Sequence, residues 1–165
     1  MEHEHNDGEE CVVCNEGMAS YMANIEKDIK EYGWAYVVTG IDTEAGLVRM
    51  GYTVGLSDID LPEVIVFGLP PDVTVSYLNE AAKRLKNRSL VINQPLSDFG
   101  ELPVCFKNIP ADVGDGFLNI ANERAEKKLA SIQLIWSDPK GLFPWDAGFD
   151  ANMRALQPIL TPTIH

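Results

Sequence analysis

The feature that most constrains the fold of this chain is a continuous apolar run from Val64 to Phe67. Gly68 ends the run, Pro62-Glu63 precedes it, and the segment Tyr52-Thr53-Val54-Gly55-Leu56 lies a few residues upstream. An apolar run between proline and glycine is typical of a strand that is buried on both faces. The two segments are therefore predicted to be neighbouring buried strands, and the polar residues between them a loop in which a binding site can form.

The length of the chain limits it to one domain. A chain of 165 residues can bury one sizeable core, and 45% hydrophobic and 23% charged residues are ordinary proportions for a globular protein. No apolar stretch is long enough for a transmembrane helix and the first residues lack a secretory signal, so a cytoplasmic location is expected. Residues 1–10 are predicted to be an acidic flexible leader, and residues 11–165 a single domain.

The net charge of −12 is the clearest signal in the composition. A surface of this sign repels nucleic-acid phosphates and anionic lipids, so neither direct nucleic-acid binding nor membrane association is expected. Two interpretations stay open. The surface is either an ordinary solvated one, or it binds a basic protein partner by imitating nucleic acid. The second interpretation makes the chain an acidic protein-interaction module that inhibits a nucleic-acid-binding protein.

The spacing of apolar residues predicts an α+β domain with three helices and about six strands. The helices are expected at residues 16–32, 73–87 and 112–128, and the strands at residues 34–39, 47–56, 63–69, 89–93, 104–108 and 131–136. The order α-β-β-β-α-β-β-α-β favours a mixed, mainly antiparallel sheet. Tyr52 is expected to point with the apolar residues of its strand and Thr53 away from them. Residues 142–165 are predicted to pack over the domain as an ordered tail.

The histidines limit the chemistry that the folded domain can perform. The only ones are His3, His5 and His165, so a Ser-His-Asp or Cys-His catalytic arrangement inside the fold is not expected. Glycine-rich phosphate-binding motifs are also absent. The candidate acids and bases are therefore carboxylates, namely Glu63, Asp138 and Asp146, each of which can equally be a turn or capping residue.

The N-terminal segment contains a candidate metal site. His3 and His5 offer two imidazoles, and Cys11 and Cys14 form a Cys-x-x-Cys pair; two nitrogen and two sulfur ligands suit tetrahedral zinc. The alternatives are two free thiols in a flexible tail, or a redox pair. Cys105 lies in the middle of a predicted strand and is interpreted as a small buried hydrophobic residue.

Two groups of residues together resemble a known family. The first is Tyr52-Thr53-Val54-Gly55-Leu56 with Pro62-Glu63-Val64 and Phe67-Gly68-Leu69, and the second is Leu134-Ile135-Trp136-Ser137-Asp138 with Gly141, Phe143-Pro144-Trp145 and Gln157-Pro158. They look like the two signatures of bacterial domain-of-unknown-function family 4262, and Cys11-x-x-Cys14 is similar to the start of many members. The resemblance implies the fold of that family, and it implies no established activity.

Three functions stay open on the sequence. The first is a ligand-binding or accessory domain whose pocket lies between residues 52–63 and 136–146. The residues predicted to line that pocket are Tyr52, Thr53, Glu63, Gln133, Trp136, Asp138 and Trp145. The second is the acidic interaction module. The third is a small enzyme that uses Glu63 or Asp138 as a base, or a bound metal, and it predicts a carboxylate of raised pKa in a cleft.

Overall fold

The computed structural model describes residues 12–44 and 46–161, with side chains from residue 17 onward. The helices are α1 (Val12–Tyr32), α2 (Pro71–Lys86), α3 (Ala111–Gly114), α4 (Asn119–Ala125) and α5 (Ala151–Arg154), and residues Leu56–Ile59 form a 3₁₀ turn. The strands are β1 (Ala35–Thr43), β2 (Gly46–Val54), β3 (Glu63–Phe67), β4 (Pro95–Leu96), β5 (Val104–Ile109) and β6 (Ser131–Trp136). Within these ranges, no helix has the length and apolar character needed to cross a membrane.

The six strands form one mixed sheet in the order β1-β2-β3-β6-β5-β4. Only β3 and β6 are parallel to each other, and all other neighbours are antiparallel. The predicted α+β class, the mainly antiparallel sheet and the number of strands are therefore confirmed. The insertion of β6 between β3 and β5 leaves β1 and β4 at the two edges.

Helices cover both sides of the sheet, because alternate residues of the central strands are apolar on both sides. On the side that we call the α1 face, strand residues pack with α1 and α4; the buried set includes Ile25, Val37, Val48, Met50, Tyr52, Ile65, Phe67 and Ala121. On the other side, the α2 face, the buried set includes Val64, Val66, Leu78, Ala82, Phe106, Ile132 and Leu134. Tyr52 lies on the apolar α1 face, as predicted. Burial of these side chains is the main force that stabilises the fold.

Gly51 lets α2 approach the sheet closely. A Cβ at this position would overlap the Thr74 side chain and lie 3.3 Å from Leu78 Cδ1, so only glycine fits under the helix. On the α1 face, Arg124 of α4 forms ion pairs with Glu26 of α1 and Asp58 of the 3₁₀ turn. These two contacts connect elements that are far apart in the chain.

Two of the predicted elements differ in the structure. The strand expected at residues 89–93 is not formed, because the chain after α2 folds back and the Ser89 and Leu90 N–H groups donate to the carbonyl of Arg84. The short strand is instead β4, two residues later. The helix expected at residues 112–128 is divided into α3 and α4; Gly114 ends α3, and a Cβ there would overlap the Ser131 hydroxyl.

Candidate functional site

The carboxylate of Glu63 is held by the loop that precedes it in the chain. Oε1 accepts hydrogen bonds from the Thr53 hydroxyl (2.8 Å) and the Leu56 N–H (3.3 Å), and Oε2 accepts from the Gly55 (3.1 Å) and Ser57 (3.2 Å) N–H groups. Gly55 adopts a φ of 105°, a conformation that favours glycine, at the start of the 3₁₀ turn. Glu63, which follows that turn in the chain, therefore accepts the hydrogen bonds of the turn's first N–H groups.

Burial controls the ionisation of Glu63. Its side chain is 0% exposed. Removal from water raises the pKa of the Glu63 carboxyl above its ordinary value, although the hydrogen bonds from Thr53, Ser57 and Gly55 act in the opposite direction. Thr53 also accepts a hydrogen bond from the Val64 N–H (2.8 Å), so hydroxyl and carboxylate form one closed network. All four donors to Glu63 belong to its own chain, which is the arrangement of a capping group.

Asp138 is also a capping carboxylate, in the turn after β6. Oδ1 accepts hydrogen bonds from the Lys140 and Leu142 N–H groups (both 2.9 Å), and Oδ2 accepts from the Asp150 N–H (3.0 Å). Desolvation raises the pKa of Asp138, but the three backbone hydrogen bonds outweigh it and hold the pKa below its ordinary value. Asp146 is a third capping carboxylate, since its Oδ2 accepts a hydrogen bond from the Phe143 N–H at 2.9 Å.

Two glutamine side chains attach the C-terminal segment to β6. The Gln133 amide donates to the Pro158 carbonyl (2.6 Å) and accepts from the Leu160 N–H (2.9 Å). Gln157 of the C-terminal segment binds β6 in turn: its side-chain amide accepts from the Trp136 N–H (2.8 Å) and donates to the Trp136 carbonyl (3.1 Å). Gln133 is thus 0% exposed and fully engaged by the chain itself. Its position in the sheet is structural.

The tryptophans of the predicted pocket also have internal partners. Trp136 donates from Nε1 to the Phe67 carbonyl at 2.6 Å and is buried on the α2 face. Trp145 stacks on Phe143 with ring centroids 5.1 Å apart, and the Lys107 ammonium lies 5.1 Å from the Trp145 centroid. The Tyr52 hydroxyl accepts a hydrogen bond from the Ile120 N–H (3.1 Å) on the opposite face from Trp136.

The structure does not bring the two halves of the predicted pocket together. In the parallel pair of β3 and β6, Glu63 lies opposite Ser131 and Val66 lies opposite Leu134. Glu63 therefore marks the start of these strands, whereas Trp136 contacts Phe67 at their end. At about 3.3 Å per residue, Glu63 and Phe67 are about 13 Å apart. The pocket between residues 52–63 and 136–146 therefore stays a prediction, and strand direction puts Glu63 and Trp136 at opposite ends of β3.

The predicted metal ligands are not among the side chains that the structure describes. His3, His5 and Cys11 lie outside the described residues, and the side chain of Cys14 is outside them as well. Among the described residues, no group of three or more His, Cys, Asp or Glu side chains could hold a metal ion. The zinc site therefore stays a prediction. Cys105 is buried in β5 as expected, and burial raises the pKa of its thiol.

An aromatic cleft that the sequence did not predict lies at the start of β1. It has a volume of about 440 Å³ and lies between α1, β1 and α2, and its lining is Asp28, Tyr32, Trp34, Ala35, Tyr36, Asn79 and Lys83. Trp34 donates from Nε1 to Asn79 Oδ1 (3.0 Å), and the Lys86 ammonium lies 5.4 Å from the Trp34 ring centroid. The signal in the sequence is the alternation Tyr32-x-Trp34-x-Tyr36, although a core tryptophan gives the same pattern.

The cleft continues onto the exposed side of an edge strand. Tyr36 and Val38 on the α2 face of β1 are 42% and 38% exposed, because α2 covers β2 and β3 more than β1. The outer edge of β1 forms no hydrogen bond in the ladder, since β1 pairs only with β2 among the described strands. The open edge of β1 over residues 35–42 and the aromatic cleft therefore form one continuous surface, which we call the β1 surface.

Comparison with known proteins places this fold in a family. A family model described as a domain of unknown function, DUF4262, matches residues 28–150. The chain belongs to this family. The matched range includes β1 to β6, the capping carboxylates Glu63, Asp138 and Asp146, and the lining of the aromatic cleft. No curated protein and no solved structure matches the chain.

Proposed function

We propose that the protein is a non-catalytic interaction module that binds an extended polypeptide segment by strand addition to β1. The observation that carries this proposal is the open edge of β1 over residues 35–42, directly beside the aromatic cleft. In strand addition, main-chain hydrogen bonds along the edge provide affinity, and pockets for alternate side chains provide specificity. The β1 surface offers both elements.

The lining of the cleft defines the side chains that a bound segment would carry. Alternate residues of an added strand would lie on the α2 face, next to the rings of Trp34 and Tyr36. An apolar or aromatic side chain fits there, because aromatic pairs gain energy beyond their buried area. Lys83 at the rim favours a nearby carboxylate in the ligand. The expected ligand is therefore an extended segment that carries an apolar or aromatic residue and an acidic residue two or four positions apart, so that both lie on the α2 face.

The same contacts argue against the alternative functions. A general base must reach a substrate proton, and the oxygens of Glu63 and Asp138 already accept hydrogen bonds from their own chain. A small-molecule pocket between residues 52–63 and 136–146 has its walls at opposite ends of β3. A surface that binds a polypeptide needs neither a general base nor that pocket, and the β1 surface therefore supports a binding function best.

Selection from a random peptide library on the full-length protein tests the proposal. We expect the selected peptides to carry an apolar or aromatic residue and an acidic residue two or four positions apart, and to slow hydrogen exchange of the β1 amides. Each selected peptide is then made in two N-methylated forms, with methyl groups on odd or on even residues. Because alternate residues of a strand direct their N–H groups to opposite edges, only one form should lose binding.

A pair of matched variants provides the control for that selection. Val38→Lys puts a charge on the β1 surface, and Val91→Lys puts one on a valine that is similarly exposed at 40% but lies outside the sheet. We expect Val38→Lys to weaken peptide binding at least about tenfold and Val91→Lys to leave it unchanged. Equal loss in both variants, or equal loss in both N-methylated forms, would contradict strand addition.

A further inference from the structure

We infer that a second copy of this chain occupies the β1 surface, through antiparallel pairing of the two β1 strands about a twofold axis. This inference rests on the proposed function and names its partner. It predicts a homodimer in which the sheet continues from one copy into the other, and in which the hairpin between β1 and β2 of each copy completes the aromatic cleft of the other.

The two edges of the sheet differ in how they are protected. β4 has two residues and begins with Pro95, which cannot donate to a ladder. β1 has nine residues without proline, lysine or arginine, and it pairs continuously with β2 from Ala35 opposite Val54 to Thr43 opposite Gly46, without a bulge. Natural sheets block open edges with such devices. Their absence from β1 is typical of an edge that is paired.

The sequence of β1 is compatible with pairing to itself. With Thr39 on the twofold axis, Val38 lies opposite Gly40 of the second copy, and Tyr36 lies opposite its Asp42. Each pair joins residues of the same parity, so the α1 and α2 faces of the two copies align. No pair brings two like charges together, because Asp42 is the only charged residue in β1.

The pairing also brings exposed apolar side chains into contact. Leu47, which is 76% exposed, leans over Gly40, where a Cβ would lie 3.1 Å from Leu47 Cδ1. Val38 of one copy therefore meets Gly40 and the overlying Leu47 of the second copy. Tyr36, Val38 and Leu47 are among the large apolar residues that are exposed in a single copy. Their mutual burial provides a hydrophobic contribution to association.

Charge complementarity identifies the second copy as the occupant. The cleft beside Tyr36 has Lys83 in its lining, and the hairpin of the second copy brings Asp42 opposite Tyr36, with Glu44 two residues farther along. The lining contains one acidic residue, Asp28, and one basic residue, Lys83, so Lys83 is the charged group there with which an acidic side chain can pair. The hairpin carboxylates can supply that partner, and the twofold axis repeats the contact on both sides.

Sedimentation velocity of the full-length protein over a wide concentration series tests for the dimer. We expect a reversible monomer–dimer equilibrium, and we expect Val38→Lys to raise its dissociation constant at least about tenfold while Val91→Lys leaves it unchanged. A monomer at every concentration, or a dimer that Val38→Lys does not weaken, would overturn the inference. A monomer with slowly exchanging β1 amides would also overturn it, because another part of the chain would then cover the edge.

A charge exchange tests the proposed contact directly. Lys83→Glu places two acidic side chains together at each contact, and Asp42→Lys places two basic side chains there, so each variant alone should be monomeric. In an equimolar mixture, the heterodimer brings the two substituted positions together at one contact, with opposite charges. Its other contact keeps the original Asp42 and Lys83 side chains. We therefore expect dimer only in the mixture, and no restoration there would refute this register.

The two proposals fail separately in these experiments. If the protein is monomeric but selected peptides bind β1 in one N-methylated form only, the second copy is not the partner and strand addition stands. If the dimer forms through the exchanged charges but no peptide binds β1, the edge serves self-association alone. The Lys83→Glu variant supplies a monomer whose β1 strand keeps its own sequence, so the peptide selection is repeated on that variant.

Discussion

Glu63 and Asp138 are both fully buried, and both carboxylates accept hydrogen bonds from backbone N–H groups, yet their pKa values move in opposite directions. The donors to Glu63 come from residues 53–57, across a strand connection, and desolvation dominates there. The donors to Asp138 come from the turn that it starts and from Asp150. Burial alone therefore does not set the pKa of a carboxyl group; the balance between desolvation and the hydrogen bonds that the carboxylate accepts decides the direction of the shift.

The largest effect expected from this comparison is that of Glu63→Ala. The substitution leaves three backbone N–H groups and the Thr53 hydroxyl without their acceptor, and each buried unpaired donor costs about 1–3 kcal/mol. We expect a loss of roughly 4 kcal/mol in the free energy of unfolding, measured by urea denaturation. Glu101→Ala, at an exposed glutamate, is the control and should change little. A loss below about 1 kcal/mol would mean that water replaces the carboxylate.

Asp138→Ala should cost less, roughly 2 kcal/mol in the same measurement, which is the upper range for loss of a capping side chain. Two of its three N–H partners, Lys140 and Leu142, lie in a turn where Lys140 is exposed, so solvent can replace part of the lost contacts. The exposed Asp115 provides the matched control as Asp115→Ala. If Asp138→Ala proves more destabilising than Glu63→Ala, Glu63 does not contribute more to the stability of the fold than Asp138.

Thr53→Val separates the hydroxyl from the carboxylate in the Glu63 network. The two side chains are similar in shape, but valine removes the donor to Glu63 and the acceptor for the Val64 N–H. We expect a loss of roughly 1.5 kcal/mol in the free energy of unfolding. The pKa of Glu63 should also rise further, because the lost hydrogen bond held it down. An unchanged Glu63 titration, followed by NMR of its side chain, would contradict this coupling.

The smallest expected effect is the pH dependence of stability, and it has opposite signs at the two sites. The folded pKa of Glu63 is raised, so its contribution to stability is lost as pH rises from the unfolded value of about 4.5 through the folded pKa. The folded pKa of Asp138 is lowered, so its contribution is present above the unfolded value of about 3.8 and is lost as pH falls through the folded pKa.

Urea denaturation at a series of pH values, for Glu63→Gln and Asp138→Asn beside the unsubstituted protein, isolates these two contributions. The stability difference from Glu63→Gln should shrink as pH rises above about 4.5, and that from Asp138→Asn should shrink as pH falls below about 3.8. Parallel profiles for the two variants would show that the two carboxylates have the same environment.

Local patterns in the sequence predicted much of the fold. The helices α1 and α2, the strands β1, β2, β3, β5 and β6 and the side of Tyr52 follow from periodicity within short windows, which backbone geometry imposes directly. The role of Asp138 as a turn carboxylate was also among the interpretations, because an Asp-Pro-Lys-Gly sequence builds its own donors nearby. The break between α3 and α4 is not predicted from the sequence; a Cβ at Gly114, the last residue of α3, would overlap the hydroxyl of Ser131, a neighbour that no local window contains.

The sequence by itself determined most of the elements, the α+β class and the family, because these depend on residue patterns that each segment carries. Only the tertiary structure decided that β6 enters between β3 and β5 and runs parallel to β3. Because β6 runs parallel to β3, Trp136 lies at the opposite end of β3 from Glu63. The strand order also places β1 at an edge of the sheet. Strand order depends on which buried faces pack best in the whole molecule, and no local window contains that information.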